Sequence, residues 1–302
     1  MSSAREMRLR IKSIKNLSQV TRALQTVSAS KIRKSMQAMD ATSAYAEKAM
    51  QILIHLAKQP GRQMLHPLLA ERPASKNNLC ILITSDRGLA GSYNVNIVRK
   101  ALQFFESSKK TTSYIAVGRK GRDMLIRRRE KVIADFSQIP NSPKFNDVSA
   151  IGWLAVDEFL EKRYDHVFVA YTQFENMLTQ VPTVKSVLPL MVDTERDNHQ
   201  ISSEKTEKKM AGVYSYEPSQ DEILDEIVPR FTALQIYQAI LVAQASENAA
   251  RMMSMQNATE NATELISVLQ LEYNKARQQS ITNEMLDIAG GAEALSQAEE
   301  AK

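Results

Sequence analysis

Apolar residues of the opening stretch recur in steps of three and four: Met7, Ile11, Ile14, Leu17, Val20, Leu24 and Val27. That spacing predicts a helix with one apolar stripe. The stripe slips phase across Ser28-Ala29-Ser30 and resumes at Ile32, Met36 and Met39. Residues 3–59 hold no Gly or Pro, and Gln59-Pro60-Gly61 supplies the stop. Ser2 or Ser3 can cap the start, with Glu6 placed to complete a capping box with Ser3. A longer stretch closes the chain. Arg230 to Ala289 lacks Gly and Pro, each of which destabilises a helix interior. Phe231, Leu234, Leu241, Ala245, Met252, Met255, Ala262, Ile266, Leu269, Tyr273 and Ala276 fall on one seam, interrupted by Gln238, Asn248 and Thr259. At 1.5 Å per residue such a helix is about 90 Å long, against an average of about 11–12 residues per helix. Pro229 is expected to kink or restart it, and Gly290-Gly291 to end it.

Between these helices the pattern changes. Leu79–Thr84, Thr112–Val117 and His166–Tyr171 are apolar runs of strand length, and Lys131–Phe136 is a weaker fourth. Helical patterns intervene at Asn94–Glu106, Arg119–Arg128 and Asp147–Arg163. This alternation predicts a Rossmann-like α/β domain with a mostly parallel sheet. Phe174–Gln180 and Thr183–Leu190 form a further pair at one edge, with Pro182 marking a turn or an edge strand. The expected organisation is an N-terminal helix over 1–59, an α/β domain over 76–192, a polar linker over 193–218 and a C-terminal helix over 219–302 that opens on the capping sequence Ser219-Gln220-Asp221-Glu222.

Two seams with a period near 3.5 predict an antiparallel coiled coil, with the α/β unit as its connection. At mid-length, Ser28-Ala29-Ser30 meets Ala243, Ala245, Ala249 and Ala250, where bare backbones approach closely. The second helix outreaches the first. Met252, Met253, Met255, Ile266 and Leu269 would then leave an apolar patch larger than monomers expose. Either other subunits sheathe the projecting helix or two copies pair.

Composition narrows the function classes. The 302 residues carry 43% apolar and 24% charged side chains, ordinary for a globular protein. The net charge is only +5, but residues 1–40 hold nine cations against Glu6 and Asp40. Such a bias marks a solvated face or an acidic partner, protein or nucleic acid. Cys80 stands alone inside an apolar run, so no intrachain disulfide or cysteine metal site forms. The histidines, His55, His66, His166 and His199, share no metal-ligand spacing. No signal peptide or membrane span is legible, which sets a cytoplasmic default. Ser85-Asp86-Arg87-Gly88-Leu89-Ala90-Gly91 follows a strand and precedes a helix, but matches neither phosphate-loop nor dinucleotide pattern. Its glycines serve a tight turn, and Asp86 and Arg87 are read as capping or pairing residues. No catalytic residue and no cofactor or metal ligand is assigned.

Four ordered stretches nevertheless resemble the gamma subunit of the F-type ATP synthase. Arg5-Glu6-Met7-Arg8-Leu9-Arg10-Ile11-Lys12-Ser13-Ile14-Lys15-Asn16 is similar to that family's amino-terminal signature, and Thr84-Ser85-Asp86-Arg87-Gly88-Leu89 to its first strand–helix turn. Ala245 to Met252, with Asn257 to Ala262, is similar to its carboxyl helix. Tyr273-Asn274-Lys275-Ala276-Arg277-Gln278 and Ile281-Thr282-Asn283-Glu284 match its terminal pattern.

The resemblance implies a non-catalytic rotor shaft inside a ring of alpha and beta subunits. The middle domain would stand against epsilon and the c-subunit ring, and torque would pass between proton flow and ATP chemistry in beta. It also implies ring contacts by Arg8, Arg10, Lys12, Lys15, Arg22, Leu24, Lys31 and Arg33 on the first helix. On the last helix the implied contacts are Arg251, Arg277, Gln278, Thr282 and Glu284. Arg22, Leu24, Thr26 and Ala90 depart from the family's usual Lys, Met, Met and Cys. The middle domain holds no inserted Cys pair of the chloroplast kind, which points to a bacterial plasma-membrane enzyme facing the cytoplasm. The rival readings are a basic coiled-coil protein that binds nucleic acid, and a small α/β enzyme with a ligand at Gly88–Gly91.

Overall fold

The computed structural model describes residues 4–57, 67–69, 72, 76–107, 110–190 and 220–300. The proposed caps at Ser2, Ser3 and Ser219, the stop at 59–61, the linker 193–218, His66 and His199 lie outside them. The elements in chain order are α1 (Ala4–Ala57), β1 (Asn77–Ile83), α2 (Tyr93–Glu106), β2 (Thr111–Val117), α3 (Arg119–Arg127), β3 (Lys131–Phe136), α4 (Phe145–Leu160), β4 (His166–Phe174), β5 (Gln180–Leu188) and α5 (Gln220–Glu300). The chain divides into two compact units, residues 28–251 and residues 1–27 with 252–302.

In the unit 28–251 the sheet order is β3-β2-β1-β4-β5. The first four strands pair in parallel, and β5 runs antiparallel to β4. Strand residues point alternately to opposite faces, so a strand apolar at every position must be covered on both. Leu79, Ile81 and Ile83 of β1 pack with α4 residues Val148, Ile151 and Phe159 and with Val228, Phe231 and Leu234 of α5. Cys80 and Leu82 turn to the other face, against Ile97, Ala101 and Phe105 of α2 and Leu125 of α3. At Gly152 α4 packs tightly on α5: a Cβ there would stand 2.6 Å from the Ala233 Cα.

The pair of edge strands expected at 174–190 is instead one strand. β4 continues to Phe174, and the Asn176 side-chain carbonyl accepts the N–H groups of Leu178 (2.9 Å) and Thr179 (2.7 Å) to close the turn into β5. Pro182 stands inside β5 opposite Thr172. An edge strand tolerates it because one side of its backbone has no ladder to complete.

α5 also departs from expectation, running 81 residues through Pro229 and through Gly290-Gly291. Val228, Pro229 and Phe231 are all buried, and that packing offsets the roughly 3 kcal/mol cost of an interior proline. For the glycines, helix propensity costs about 1 kcal/mol each against the flanking residues, which is too little to break the helix.

In the other unit, α1 and α5 form an antiparallel coiled coil. Thr21 Oγ1 and Thr259 Oγ1 share a hydrogen bond at 2.6 Å. From that contact the covered positions run toward the amino end on α1, through Ser18, Ile14, Ile11 and Met7, and toward the carboxyl end on α5, through Ala262, Ile266, Leu269 and Tyr273, as antiparallel helices require. On α5 the covered positions are Met255, Thr259, Ala262, Ile266, Leu269, Tyr273 and Ala276, which is the expected seam.

On α1 the seam is not the expected one. Met7, Ile11, Ile14, Ser18, Thr21, Gln25, Ser28, Ile32, Ser35, Met39, Thr42, Ala46 and Ala49 alternate steps of four and three without a slip, and none is exposed. Leu17, Val20 and Val27 lie beside it at 57%, 55% and 50% exposure. Small side chains in a seam allow two helices close approach, so Ser18, Thr21 and Ser28 outcompete bulkier neighbours for those positions.

Candidate functional site

The coiled-coil unit carries most of the sequence-predicted contact residues, and it presents them outward. Arg8, Arg10, Lys12, Lys15 and Arg22 are exposed on α1, while Leu24 is half-buried beside the seam. Arg10 is already paired with Glu6 at 2.6 Å, one helical turn away. On α5, Arg277, Gln278, Thr282 and Glu284 are exposed. Thr282 Oγ1 donates to the Gln278 backbone carbonyl at 3.0 Å, a local bond that leaves both side chains available.

Every residue from Arg277 to Ala292 is exposed on all faces of the helix, including Ile281, Met285, Leu286 and Ile288. Those four, with Leu265, Val268 and Leu271, make the exposed apolar surface of α5. The patch expected at Met252, Met253, Met255, Ile266 and Leu269 is part-buried instead, because those residues face α1 or flank the seam. A helix end without a covered face is marginal by itself in water.

Arg33, Lys31 and Arg251 belong to the other unit. Arg33 is exposed. Lys31 and Arg251 line a cavity of about 470 Å³ with the loop that follows β1. That loop is tightly built. Thr84 Oγ1 donates towards the carbonyls of Val117 and Gly118 and accepts the Gly121 N–H at 2.9 Å. Gly118 has φ +97°, and a Cβ there would lie 2.3 Å from the Thr84 carbonyl oxygen, so no other residue fits. Asn94 accepts the Ser85 N–H at 2.9 Å. Asp86 accepts the N–H of Arg119 at 3.1 Å and that of Gln138 at 2.9 Å, the capping role expected of it. Arg87 is exposed and meets no carboxylate among the described residues.

Glu247, which the sequence presents only as part of a motif, organises this corner. Its carboxylate accepts from Arg251 at 2.7 Å, and Arg251 also donates to the Gly88 carbonyl at 3.3 Å. Burial pushes the Glu247 carboxyl up from its ordinary value, and the Arg251 charge and hydrogen bond oppose that rise. Burial first, then the charges of Arg251 and Arg87, lower the Lys31 amine, whose ammonium donates to Asn141 at 2.8 Å. The signal that could have found Glu247 is its four-residue spacing to Arg251 on one helix. Among the described residues no His, Cys, Asp and Glu cluster could hold a metal, and no helix is long and apolar enough to cross a membrane.

One unit is therefore an antiparallel helix pair, and the other is a three-layer sandwich around a five-stranded sheet. Residues 3–295 match the family model described as ATP synthase. The ATP synthase gamma chain of Roseiflexus castenholzii is 41% identical over 300 residues, covering 98% of this chain and 100% of the relative. That of Dehalococcoides mccartyi strain CBDB1 is 40% identical over 297 residues, with the same two coverages. That of Brevibacillus brevis is 38% identical over 293 residues, 96% of this chain and 98% of the relative.

Two solved structures share the fold. A chain of the Euglena gracilis mitochondrial ATP synthase (OSCP/F1/c-ring, rotational state 3) superposes with a TM-score of 0.67 at 20% identity, over 98% of this chain and 95% of that one. A chain of the Tetrahymena thermophila mitochondrial ATP synthase central stalk/c-ring gives 0.59 at 24%, over 79% and 99%. The chain belongs to the ATP synthase gamma-chain family.

Proposed function

We infer that this chain is the central rotor shaft of an F-type ATP synthase. It is a non-catalytic subunit that carries torque between proton flow through a c-subunit ring and ATP synthesis or hydrolysis in beta subunits. The observation that carries the reading is the carboxyl end of α5. Sixteen consecutive helical residues, Arg277 to Ala292, have no covered face within the chain yet present Ile281, Met285, Leu286 and Ile288. Such a helix requires a sleeve, and a ring of alpha and beta subunits is one. The alternative occupant, a second copy, would also offer carboxylates of α5 (Glu260, Glu264, Glu272, Glu284 and Asp287) to the cations of α1, and family membership is what favours the ring over it. Nothing in the fold favours the nucleic-acid reading, and family membership replaces it.

Rotation acts as a ligand would. A shaft whose surface differs around its axis makes different contacts with each beta conformation, so its angle biases their populations. Ring contacts are assigned to Arg8, Arg10, Lys12, Lys15, Arg22, Leu24, Lys31, Arg33, Arg251, Arg277, Gln278, Thr282 and Glu284. Lys31 and Arg251 reach the ring only by giving up bonds they make to Asn141, Glu247 and Gly88. The functional division follows as helix 1–59, α/β domain 76–192 facing epsilon and the c ring, linker 193–218 and helix 219–302. The protein acts peripherally on a membrane, here assigned to the cytoplasmic face of a bacterial plasma membrane.

Affinity purification of the tagged chain from its own cells tests the reading. Recovery of an ATPase ring with c subunits is expected; recovery of the chain alone, or as a homodimer, would end it. Replacing Arg8, Lys12, Lys15 and Arg22 together with Ala should weaken coupling of ATP hydrolysis to proton pumping, most visibly at low salt. Exposed pairs of this kind are each worth under about 1 kcal/mol and are screened by salt.

A further inference from the structure

In open α/β sheets, ligands bind outside the carboxyl ends of the strands, near the point where the strand order reverses. The order β3-β2-β1-β4-β5 reverses at β1 and β4. The 470 Å³ cavity lies at those ends: Thr84 follows β1, Gly118 follows β2 and Gln138 follows β3. Pockets of this size hold small molecules.

Its charges are unbalanced. Lys31, Arg87, Arg119 and Arg251 line it against only Asp86 and Glu247, a surplus of two positive charges. Glu247 is spent on Arg251 at 2.7 Å, and Asp86 directs both oxygens at backbone N–H groups. Lys31, Arg87 and Arg119 are therefore left without a carboxylate within salt-bridge distance among the described residues. Burial lowers the Lys31 amine first, and the positive charges of Arg251 and Arg87 lower it further.

We propose that this cavity binds a phosphate-class oxyanion, gripped by the guanidinium groups of Arg87 and Arg119. A tetrahedral dianion matches the missing charge, and Arg recognises it through paired N–H donors. The holders are side chains; the Ser85–Gly91 loop lacks the glycine spacing of a backbone phosphate cradle. The ion is either free phosphate or the phosphoryl end of a nucleotide.

Calorimetric titration of the purified full chain with inorganic phosphate, and separately with ADP, in chloride-matched buffer tests this. Saturable 1:1 binding is expected, weakened about tenfold by Arg87→Ala and about tenfold more in the Arg87→Ala/Arg119→Ala chain. The Arg87→Lys/Arg119→Lys chain should keep part of the affinity. ADP binding more tightly than phosphate identifies a phosphate ester as the ligand; ADP binding equally or less tightly identifies the free ion. No saturable binding of either by the unaltered chain overturns the proposal. So does unchanged affinity in a doubly substituted chain with native helical circular dichroism. Both arginines are exposed and neither is among the assigned ring contacts, so a negative result leaves the rotor reading untouched.

Discussion

One helix shows two modes of support. Over Phe231–Ala250, α5 is covered all round, with Ile236, Tyr237, Ile240 and Ala243 joining the seam residues in the core. Over Met255–Ala276 only one seam is covered, and beyond it none is. The helix grows more polar along these stretches, from one charged residue in 231–250 to four in 255–276 and three in 277–292. The neighbour changes with it: a sheet and its helices, then a single helix, then no part of this chain. Burial is what stabilises helices in proteins, more than intrinsic propensity. The sandwich is therefore the self-sufficient region, and the coiled coil depends increasingly on what surrounds it.

That contrast can be broken most severely in the sandwich. Phe159 is fully buried and packs beneath the Arg72 guanidinium, 4.1 Å from its ring. Phe159→Ala is expected to lower stability by about 3–5 kcal/mol in urea unfolding. A loss below about 1 kcal/mol would mean the sandwich core is not the stabilising centre.

The coiled coil should respond more weakly. Thr21 and Thr259 bond each other at 2.6 Å, with one hydroxyl donating across and the other donating to a carbonyl of its own helix, that of Ser18 or of Met255. Thr21→Val or Thr259→Val alone removes the cross-helix bond and should cost about 1 kcal/mol. The double substitution should recover part of that, with a coupling of about 0.5–1.5 kcal/mol. Strict additivity would show that the contact does not fix the register.

Asp165 sharpens the comparison through pH. Burial raises its carboxyl, but the N–H groups of Lys76 (2.8 Å) and Asn77 (3.1 Å) and the charge of Arg72 outweigh that and hold it below its ordinary value. Its contribution is therefore present above pH 3.8, the unfolded value, and disappears as pH falls through the lower folded one. Asp165→Asn should cost about 1 kcal/mol at pH 7 and progressively less below pH 4. A difference that persists undiminished in acid would contradict the assignment.

The smallest effect on stability belongs to the uncovered end. Replacing Ile281, Met285, Leu286 and Ile288 with Ser should change unfolding of the isolated chain by less than about 0.5 kcal/mol, while reducing recovery of the ring in affinity purification. Loss of stability without loss of assembly would place their partner inside this chain.

Much of this was legible in the residues. The continuous apolar runs at 79–84 and 112–117 could only be strands covered on both faces. The Gly- and Pro-free terminal stretches could only be long helices. The α5 seam was read correctly because Met255, Ala262, Ile266 and Leu269 are both apolar and packed. The α1 seam differs from the one that hydrophobicity predicts because the chain buries Ser18, Thr21 and Ser28 and leaves Leu17, Val20 and Val27 outside. The signal was the unbroken four-three spacing from Met7 to Ala49, which the more hydrophobic neighbours obscured.

The contact residues divide the same way. Local spacing accounts for the exposed cations of α1, since a helix face is set by sequence. Lys31, Asp86 and the Glu247–Arg251 pair lie far apart in the chain, and no periodicity predicts that they share a cavity.

By itself the sequence determined the element types, their order, the parallel sheet and the existence of a helix pair, because each follows from interactions within a few residues of chain. Tertiary structure decided which face of α1 is inward, that Pro229 is absorbed into α5, and which charges converge beyond the strand ends. Those outcomes depend on competition between surfaces distant in sequence, where packing distance outweighs the hydrophobicity of any one side chain.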